Sequence, residues 1–297
     1  MTFGQLRTFL ALADTGSVRA AAERLVVTQP AVSSAVNALQ ASLGVALTER
    51  DGRGLRLTGA GQTFAQYARR VIALLEEGAA AAAGSVDPER GRLRLAAVTT
   101  AAENVIPAFL ATFRPLYPAV RIELEVGNRA RVWDMLDHHE VDLAIAGRPP
   151  ASAPFAVHAV RDNELILVGP PELDPGARPE LGTVAWLLRE PGSGTRAAVE
   201  DTLNDLEIEP PTLTLGSNGA IRESVQAGLG LSVLSRDAVA GLIDEGALVE
   251  WRVPPFPIQR PWHAVGRSDH PLPATAGLFL RHLVAQDGGK AFVPIDS

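Results

Sequence analysis

The segment REPGSGTRAAVE, residues 189–200, combines residue types that hold anions in proteins. A glycine-rich turn follows the apolar run 183–188, and the hydroxyl residues Ser193 and Thr195 stand where a helix is predicted to begin. The first N–H groups of a helix have no intrahelical partner, and the helix dipole is positive at that end. The sequence therefore predicts that Ser193, Gly194 and Thr195 hold a small anion.

Two further junctions between a predicted strand and a predicted helix carry similar side chains. Hydroxyl or amide residues follow the strands 92–98 and 212–216, and a glycine ends the strand 141–147. Ligands of open α/β sheets bind outside the carboxyl ends of the strands, where all these positions lie. One hydroxyl at a helix start is more often a plain N-cap, but several at one sheet edge favour a ligand site. These candidates are Thr99, Thr100, Gly147, Ser217 and Asn218.

The same glycine-rich turn also fits an enzyme that binds a dinucleotide. GSGTRA, residues 192–197, matches G-x-G-x-x-A after a strand, a variant of the NAD(P) fingerprint. That fingerprint needs an acidic residue at the end of the next strand, whereas Glu207 and Glu209 precede that strand here. The sequence contains no phosphate-binding loop, zinc-protease or serine-nucleophile motif. An NAD(P)-dependent oxidoreductase with a helical appendage is kept as the alternative to a non-catalytic binding protein.

Composition restricts the class of protein. The chain has 297 residues and no cysteine, which excludes disulfides, thiol catalysis and cysteine-based zinc sites. At about 150 residues per domain, this length predicts two folded units. The first residues lack a signal-peptide pattern, and no apolar run reaches the ~18 residues that span a bilayer. We therefore expect a soluble cytoplasmic protein that does not bind a membrane.

Charge divides the chain into a basic head and an acidic body. The net charge is −7, yet residues 1–70 carry eight arginines against four acidic residues. Residues 71–297 carry 19 basic and 30 acidic side chains. This asymmetry indicates that only the head approaches a polyanion such as a nucleic acid.

The head has the pattern of a winged helix-turn-helix. Apolar residues recur at helical spacing in 6–15 and 18–25, and a third helix runs from the N-cap Thr28 to Gly44. The segment 47–58 is typical of a hairpin that turns at DGRG. An unrelated three-helix fold with a solvated polar face fits the same helical pattern.

The polar face of the third helix and the hairpin carry side chains that suit DNA. Glutamine can pair with adenine, serine can contact a base or a phosphate, and arginine can clamp phosphates or enter the minor groove. The candidates on the helix are Gln29, Ser33, Ser34 and Asn37, and those on the hairpin are Arg50, Arg53 and Arg56.

The segment 59–85 is predicted as one long helix with an apolar stripe. The stripe comprises Phe64, Tyr67, Val71, Leu74 and Leu75. A single helix with such a stripe has to bury it, and no neighbouring helix is available before residue 91. We expect the stripe to pack against a second copy of the chain, and docking on the chain's own body is the alternative.

The body alternates strand and helix patterns, which is typical of an α/β fold with a largely parallel sheet in two similar halves. The predicted strands are 92–98, 120–126, 141–147, 164–170, 183–188, 212–216, 230–235 and 261–267. A final helix is predicted at 274–285. We place the first lobe at about 91–160 and 267–290, and the second lobe at about 161–266.

The stretch 3–70 resembles the DNA-binding region of LysR-type transcriptional regulators. The resemblance rests on FLALADTGSVRAAAERLVVTQPAVSSAVNALQASLGVAL, on the R-x-x-R pair and on LTGAG, and it continues with lower density to about residue 285. The chain departs from the family pattern at Ser34, where a longer basic or polar side chain is usual. It departs also at Gln40, which is commonly glutamate, and at Thr48, which is commonly phenylalanine.

The resemblance implies the family's architecture. It implies an all-α winged helix-turn-helix at 1–58, a linker helix that pairs in a dimer at 59–90, and an α/β two-lobed, periplasmic-binding-protein-like effector domain at 91–297. It also implies that some positions face DNA and that others line the effector cleft. The DNA-facing positions are Gln29, Pro30, Ser33, Ser34, Arg50 and Arg53, and the cleft positions are Thr100, Thr195 and Ser217.

Within the family, REPGSGTR resembles the CysB/CbbR-like subgroup, which controls sulfur-assimilation and carbon-fixation genes and responds to small anions or phosphorylated metabolites. The function implied is transcription regulation without catalytic residues, cofactor or metal. The partners implied are double-stranded operator DNA, a small anionic effector, further copies in a homodimer or homotetramer, and RNA polymerase if the protein is an activator.

Overall fold

The structure, a computed structural model, describes residues 1–51, 54–84, 87–173, 181–285 and 291–295. The chain forms two compact units. One comprises Met1–Val86 with His138–Glu140, and the other comprises Asp87–Asp137 with Val141–Ser297. No helix in these described ranges is long and apolar enough to cross a bilayer.

The first unit is a small helical bundle with a hairpin and a long final helix. Its elements are α1 (Phe3–Thr15), α2 (Val18–Leu25), α3 (Gln29–Leu43), β1 (Thr48–Asp51), β2 (Gly54–Leu57) and α4 (Gly59–Gly84). Thr2, Ser17 and Thr28 cap the first three helices by accepting hydrogen bonds from backbone N–H groups of the first turn. The core includes Phe9, Val32 and Leu39. The predicted winged helix-turn-helix is therefore confirmed.

The first turns of α4 pack on this core, whereas its later turns expose apolar side chains. The rings of Phe64 and Phe9 have centroids 5.6 Å apart, so Phe64 belongs to the core of its own unit. The remaining apolar residues of the predicted stripe are exposed in the single chain. We call them the exposed α4 face: Tyr67, Val71, Leu74 and Leu75.

Gln40 connects the end of α3 to the base of the hairpin. Its Oε1 accepts hydrogen bonds from the backbone N–H of Leu47 at 2.8 Å and of Thr48 at 3.2 Å, and from the Thr48 hydroxyl at 3.4 Å. Its Nε2 donates to Asn37 Oδ1 at 3.4 Å. The two departures from the family pattern at positions 40 and 48 are thus in contact with each other.

The second unit has two lobes, the first built on one six-stranded sheet and the second on a four-stranded and a two-stranded sheet. The first lobe contains β3 (Arg92–Val98), α5 (Thr99–Asn104), α6 (Ile106–Leu116), β4 (Arg121–Gly127), α7 (Arg129–Asp137), β5 (Leu143–Ala146), β6 (Phe155–Arg161), β13 (Trp262–Arg267), α11 (Ala274–Val284) and β14 (Val293–Pro294). Its strand order is β14-β6-β13-β5-β3-β4. β3 pairs in parallel with β4 and β5, whereas β13 is antiparallel to β5 and β6.

The second lobe lies between β6 and β13 in the chain. It contains β7 (Glu164–Gly169), β8 (Trp186–Leu188), α8 (Gly194–Asp205), β9 (Thr212–Thr214), α9 (Asn218–Gln226), β10 (Ser232–Ser235), α10 (Arg236–Asp244), β11 (Val249–Trp251) and β12 (Ile258–Gln259). β7 pairs antiparallel with β10, β11 and β12, and β8 pairs in parallel with β9.

Two predictions about these sheets are wrong. The sheets are mixed rather than largely parallel, because the predicted strands β7 and β10 pair antiparallel, as do β5 and β13. Four strands that were not predicted also pair antiparallel: β6, β11, β12 and β14. The predicted lobe boundary at residues 266 and 267 is also wrong, because β13 pairs with β5 and β6 of the first lobe. Trp262 and Ala264 of this strand pack in the core of the first lobe, so the chain has returned to that lobe before β13 begins.

Asn163 joins the two chain segments that cross between the lobes in the described part of the structure. One segment links β6 to β7, and the other links β12 to β13. Arg260 N–H donates to Asn163 O at 2.8 Å, and Asn163 Nδ2 donates to Arg260 O at 2.8 Å. Ser235 Oγ donates to Asn163 Oδ1, so the carbonyl and amino groups of this buried amide are both paired.

Gly61, in the first turn of α4, has to be glycine because the backbone of Leu47 lies against it. A Cβ on Gly61 would lie 1.9 Å from Leu47 O. A backbone oxygen cannot rotate away as a side chain can, so Gly61→Ala is expected to destabilise the first unit by about 1–3 kcal/mol. Urea denaturation followed by circular dichroism measures this free energy of unfolding.

Gly59→Ala is the matched control for this prediction. Nothing lies within 4 Å of a Cβ at Gly59, and alanine favours a helix over glycine. The Gly59→Ala chain should therefore be as stable as the parent or slightly more so. Equal unfolding free energies for the two variants would show that the contact with Leu47 is not the constraint.

Candidate functional site

A cavity lies where the carboxyl ends of β3, β4, β5 and β8 meet the crossings between the lobes. Its water-accessible volume is about 50 Å³. Since one water needs roughly 10–15 Å³ of such space, the cavity fits a ligand the size of a few waters. The lining residues are Val98, Thr99, Thr100, Gly127, Asn128, Arg129, Gly147, Asn163, Leu165, Arg189, Glu190, Ser193, Gly194, Thr195, Arg260 and Trp262.

The N-terminus of α8 faces this cavity. Ser193 is the N-cap, and its Oγ accepts a hydrogen bond from the backbone N–H of Arg196 at 3.5 Å. The N–H groups of Gly194 and Thr195 have no partner inside the helix, because they belong to its first turn. Together with the helix dipole, these N–H groups give this side of the cavity a partial positive charge.

Arg260 adds a full positive charge at the same place. A Cβ on Gly194 would lie 3.5 Å from Arg260 Nη2 and 3.9 Å from Arg129 Cδ. Burial lowers the pKa of the Arg260 guanidinium, the charge of Arg129 lowers it further, and Asp201 opposes both effects. The Arg260 guanidinium has no hydrogen-bond or ion-pair partner among the described residues. A half-buried cation beside a second cation and a helix N-terminus favours an anion.

Arg189 lines the cavity from the end of β8, and its guanidinium is already hydrogen-bonded on three sides. Its Nε and Nη2 donate to the two oxygens of the Glu190 carboxylate at 2.7 and 2.9 Å. Its Nη1 donates to Asn218 Oδ1. Arg189 is only 5% exposed, so its charge is balanced inside the protein rather than by solvent.

This arrangement can bind an anion but holds no set of groups for catalysis. Three arginines and one glutamate give the described lining a net charge of +2. The lining hydroxyls have no histidine beside them in the described cavity, and the carboxylate of Glu190 is held by Arg189. A hydroxyl needs an adjacent base to act as a nucleophile, so the chemistry that this cavity supports is binding.

Comparison with known protein families decides the identity. Residues 3–62 match the family described as bacterial regulatory helix-turn-helix protein, lysR family, and residues 87–288 match the LysR substrate binding domain. The chain belongs to the LysR family of transcriptional regulators. The fold agrees, since the helix-turn-helix unit precedes a two-lobed α/β unit in the chain.

Full-length relatives in the LysR family are named as regulators. The chain is 32% identical to the transcriptional activator CmpR of Synechocystis sp. PCC 6803, over 99% of this chain and 98% of that protein. It is 33% identical to the transcriptional regulator CbbR of Rhizobium meliloti, over 100% of this chain and 96% of that protein. These names contradict the dinucleotide-enzyme interpretation of residues 192–197.

Solved LysR structures share the architecture. A full-length OxyR variant from Pseudomonas aeruginosa gives a TM-score of 0.72 at 22% identity, over 95% of this chain and 94% of that one. The regulatory domain of CcmR from Synechocystis PCC6803, described in complex with 2-PG, gives a TM-score of 0.61 at 30% identity. That alignment covers 65% of this chain and 95% of the CcmR chain.

The structure brings together most of the predicted effector residues, and two lie elsewhere. Thr99, Thr100, Gly147, Ser193, Gly194 and Thr195 line the cavity, whereas Ser217 and Asn218 do not. Ser217 is exposed and caps α9, where its Oγ accepts a hydrogen bond from Ala220 N–H at 3.1 Å.

Asn218 lies between the two lobes rather than in the cavity. Its Nδ2 donates to Thr100 Oγ1 and to Glu103 Oε2, both at 3.1 Å, and its Oδ1 accepts from Arg189. Thr100 and Glu103 belong to α5 of the first lobe, so α9 begins against that helix and not against the cavity. Asn218 therefore links the two lobes.

Sequence analysis missed several residues of the lining. These are Val98, Gly127, Asn128, Arg129, Asn163, Leu165, Arg189, Glu190, Arg260 and Trp262. Asn128 and Arg129 could have been predicted in the same way as Thr99 and Thr100, because they too are polar residues at a junction between a strand and a helix. Arg260 had no local signal, because it reaches the cavity only through the second crossing between the lobes.

The predicted DNA-binding residues of α3 occupy the helix face opposite to its buried side. Val32, Val36 and Leu39 face the core. Gln29 also lines a groove with Arg50 from the hairpin. Arg53 lies outside the described residues. The exposed candidates on α3 are Gln29, Pro30, Ser33, Ser34 and Asn37.

Replacing Arg260 by methionine is expected to weaken anion binding without weakening the fold. The substitution removes a half-buried charge that has no partner among the described residues, so the melting temperature without ligand should stay the same or rise. Inorganic phosphate at a hundredfold excess over its Kd stabilises a protein by about 2.7 kcal/mol. At this phosphate concentration, the melting temperature of the parent should rise. At the same concentration, the melting temperature of Arg260→Met should change little.

Arg148→Met is the matched control, because it removes the same charge from an exposed residue outside the cavity lining. The Arg148→Met chain should respond to phosphate as the parent does. A phosphate response of Arg260→Met as large as that of the parent would contradict the assignment of Arg260.

Proposed function

We propose that this LysR-family chain binds operator DNA and that a small anionic effector, held in the cavity between the lobes, modulates that binding. The observation that carries the effector part is the guanidinium of Arg260. It is half-buried, lies beside Arg129 and the N-terminus of α8, and has no partner among the described residues. A site of this kind gains most from a ligand that brings negative charge.

The effector residues that we propose combine the sequence candidates with those that the fold adds. The N–H groups at the start of α8 and the charges of Arg129 and Arg260 would hold the anionic group. Thr195 would add a hydroxyl, and Thr99, Thr100 and Gly147 would border the ligand at the ends of β3 and β5. The complex of the CcmR regulatory domain with 2-PG supports a small effector for this part of the family.

The DNA surface that we propose is the exposed face of α3 together with the hairpin. Gln29 and Arg50 line one groove, so a base-reading amide and a phosphate-binding guanidinium stand on the same side of the unit. A solved complex of CbnR with its target DNA, which aligns with 95% of this chain at a TM-score of 0.67, supports this function.

We also propose that the exposed α4 face is the seam of a homodimer. Tyr67, Val71 and Leu74 recur every three to four residues, which is the spacing that packs one helix against another. The unit's own core does not cover them, although it does cover Phe64. Docking on the chain's own body remains the alternative, and the oligomeric state decides between the two.

Substitutions at Gln29 and Arg50 should separate base recognition from phosphate binding. Gln29→Ala is expected to weaken binding to an operator selected from random DNA by about 1–3 kcal/mol and to relax the preference at one base pair. Arg50→Ala should instead weaken all duplexes alike and reduce the slope of log K against log salt by about one. Fluorescence anisotropy at several salt concentrations measures both effects.

Arg252→Ala is the control for these titrations, because Arg252 is an exposed arginine of the second unit. It should leave the salt slope unchanged. Adding inorganic phosphate should shift operator affinity or footprint length for the parent and not for Arg260→Met. Operator binding that ignores every small anion would contradict the effector part of the proposal and leave the DNA part standing.

Glutamates on the exposed α4 face should dissociate the dimer. Val71→Glu combined with Leu74→Glu would bury unpaired charges in the seam, at a cost of several kcal/mol for each. Light scattering is expected to show monomers. Operator affinity should fall because the dimer is lost. Gln62→Glu, on the opposite side of α4 at about 3.6 residues per turn, should keep the dimer. An unchanged oligomer in the double variant would place the interface elsewhere.

A further inference from the structure

Glu190 is a carboxylate in a cavity whose other charged lining groups, among the described residues, are arginines. Both of its oxygens are used by Arg189, at 2.7 and 2.9 Å from Nε and Nη2. Its side chain is 30% exposed, whereas that of Arg189 is only 5% exposed. Paired hydrogen bonds of this kind fix both the position of the carboxylate and the plane of the guanidinium.

The pair makes the cavity asymmetric. Three of the five N–H groups of Arg189 are engaged by Glu190 and Asn218, and the carboxylate of Glu190 balances its charge. On the other side, Arg260 and the N–H groups that start α8 have no protein acceptor among the described residues. Arg260 and Glu190 line the same cavity of about 50 Å³.

We propose that Glu190 determines which anions the cavity accepts, an inference that rests on the proposed function. Glu190 acts as an internal counter-anion for Arg189. It repels a second negative group on the ligand and accepts a hydrogen bond from a neutral donor instead. The ligand class is therefore a small anion with one charged end, at Arg260 and α8, and a hydroxyl group at the other end, at Glu190.

Glu190→Gln changes this charge with little change in shape. The glutamine carbonyl still accepts a hydrogen bond from Arg189, so the guanidinium stays in place while its charge is no longer balanced. Inorganic phosphate at pH 8, which is mostly a dianion, should bind the Glu190→Gln chain at least about tenfold more tightly than the parent. Calorimetric titration of the full chain at fixed ionic strength measures both dissociation constants.

A second measurement tests the hydroxyl end of the ligand. Glycolate and acetate are both monoanions, and only glycolate carries a hydroxyl group that can donate to a carboxylate. The parent should bind glycolate more tightly than acetate by about fivefold or more, and Glu190→Gln should lower this ratio by at least about twofold, because a neutral amide accepts a weaker hydrogen bond than a carboxylate does. A residue that merely holds Arg189 in position would change both affinities together and leave the ratio as it was.

Glu200→Gln is the matched control, because it neutralises a glutamate of α8 that pairs with Arg196 at 2.7 Å and lies outside the cavity lining. It should change phosphate affinity less than twofold and leave the glycolate-to-acetate ratio unchanged. Thermal unfolding without added anion reports that the second unit of each variant is folded.

The outcomes separate this inference from the function on which it rests. Phosphate binding by the parent, with equal or weaker binding by Glu190→Gln, would overturn the role of Glu190 and leave the anionic effector intact. An unchanged glycolate-to-acetate ratio would do the same. Absence of binding of all three anions by both chains would overturn the inference together with the anionic effector.

Discussion

The second unit depends on the hydrogen bonds that Asn163 makes where the chain crosses between the lobes. Asn163 makes one backbone and one side-chain hydrogen bond to Arg260, each 2.8 Å long. The hydroxyl of Ser235, from the second lobe, donates to its side-chain oxygen. The bonds hold the two crossing segments side by side in a buried place, where an unpaired amide is costly. Since Arg260 lies on one of these segments, the same bonds fix the backbone from which its guanidinium reaches the cavity.

The arginines of the second unit show which positive charge is left for a ligand. Arg161 is buried and donates to both oxygens of Asp237, at 2.7 and 2.9 Å. Hydrogen bonds from Arg267 to Asp269, and then to Asp137, raise the pKa of Arg267 despite its burial. Burial and a neighbouring cation lower the pKa of Arg260 instead. Paired arginines hold the fold together, whereas a cation with no hydrogen-bonded or ion-paired acid among the described residues is available to bind something else.

Local pattern was sufficient for most of the elements and for part of the cavity. The caps Thr28 and Ser193 were readable because an N-cap depends on a few neighbouring residues. The short strands β12 and β14 were not readable, because each has two residues and exists only through pairing with a distant strand.

The same limit explains the errors in the cavity. Asn218 has the sequence signal of a ligand residue, yet its amide is used by Thr100 and Glu103 across the lobes. Whether a polar residue at a helix start meets a ligand or the protein depends on what packs opposite it. No window of sequence around that residue contains this information.

The position of Gln40 has a consequence for how the exposed face of α3 can be varied. Its carbonyl oxygen fixes the base of the hairpin, while its amino group holds the carbonyl oxygen of Asn37. The amide of Asn37 is thereby oriented with its NH₂ group outward, so it offers donors rather than an acceptor to a facing surface. A helix transplanted from a relative with glutamate at position 40 would lose the donor that sets this orientation. Helix α3, the amide of Asn37 and the hairpin are therefore coupled through Gln40, and exchanging α3 alone would break that coupling.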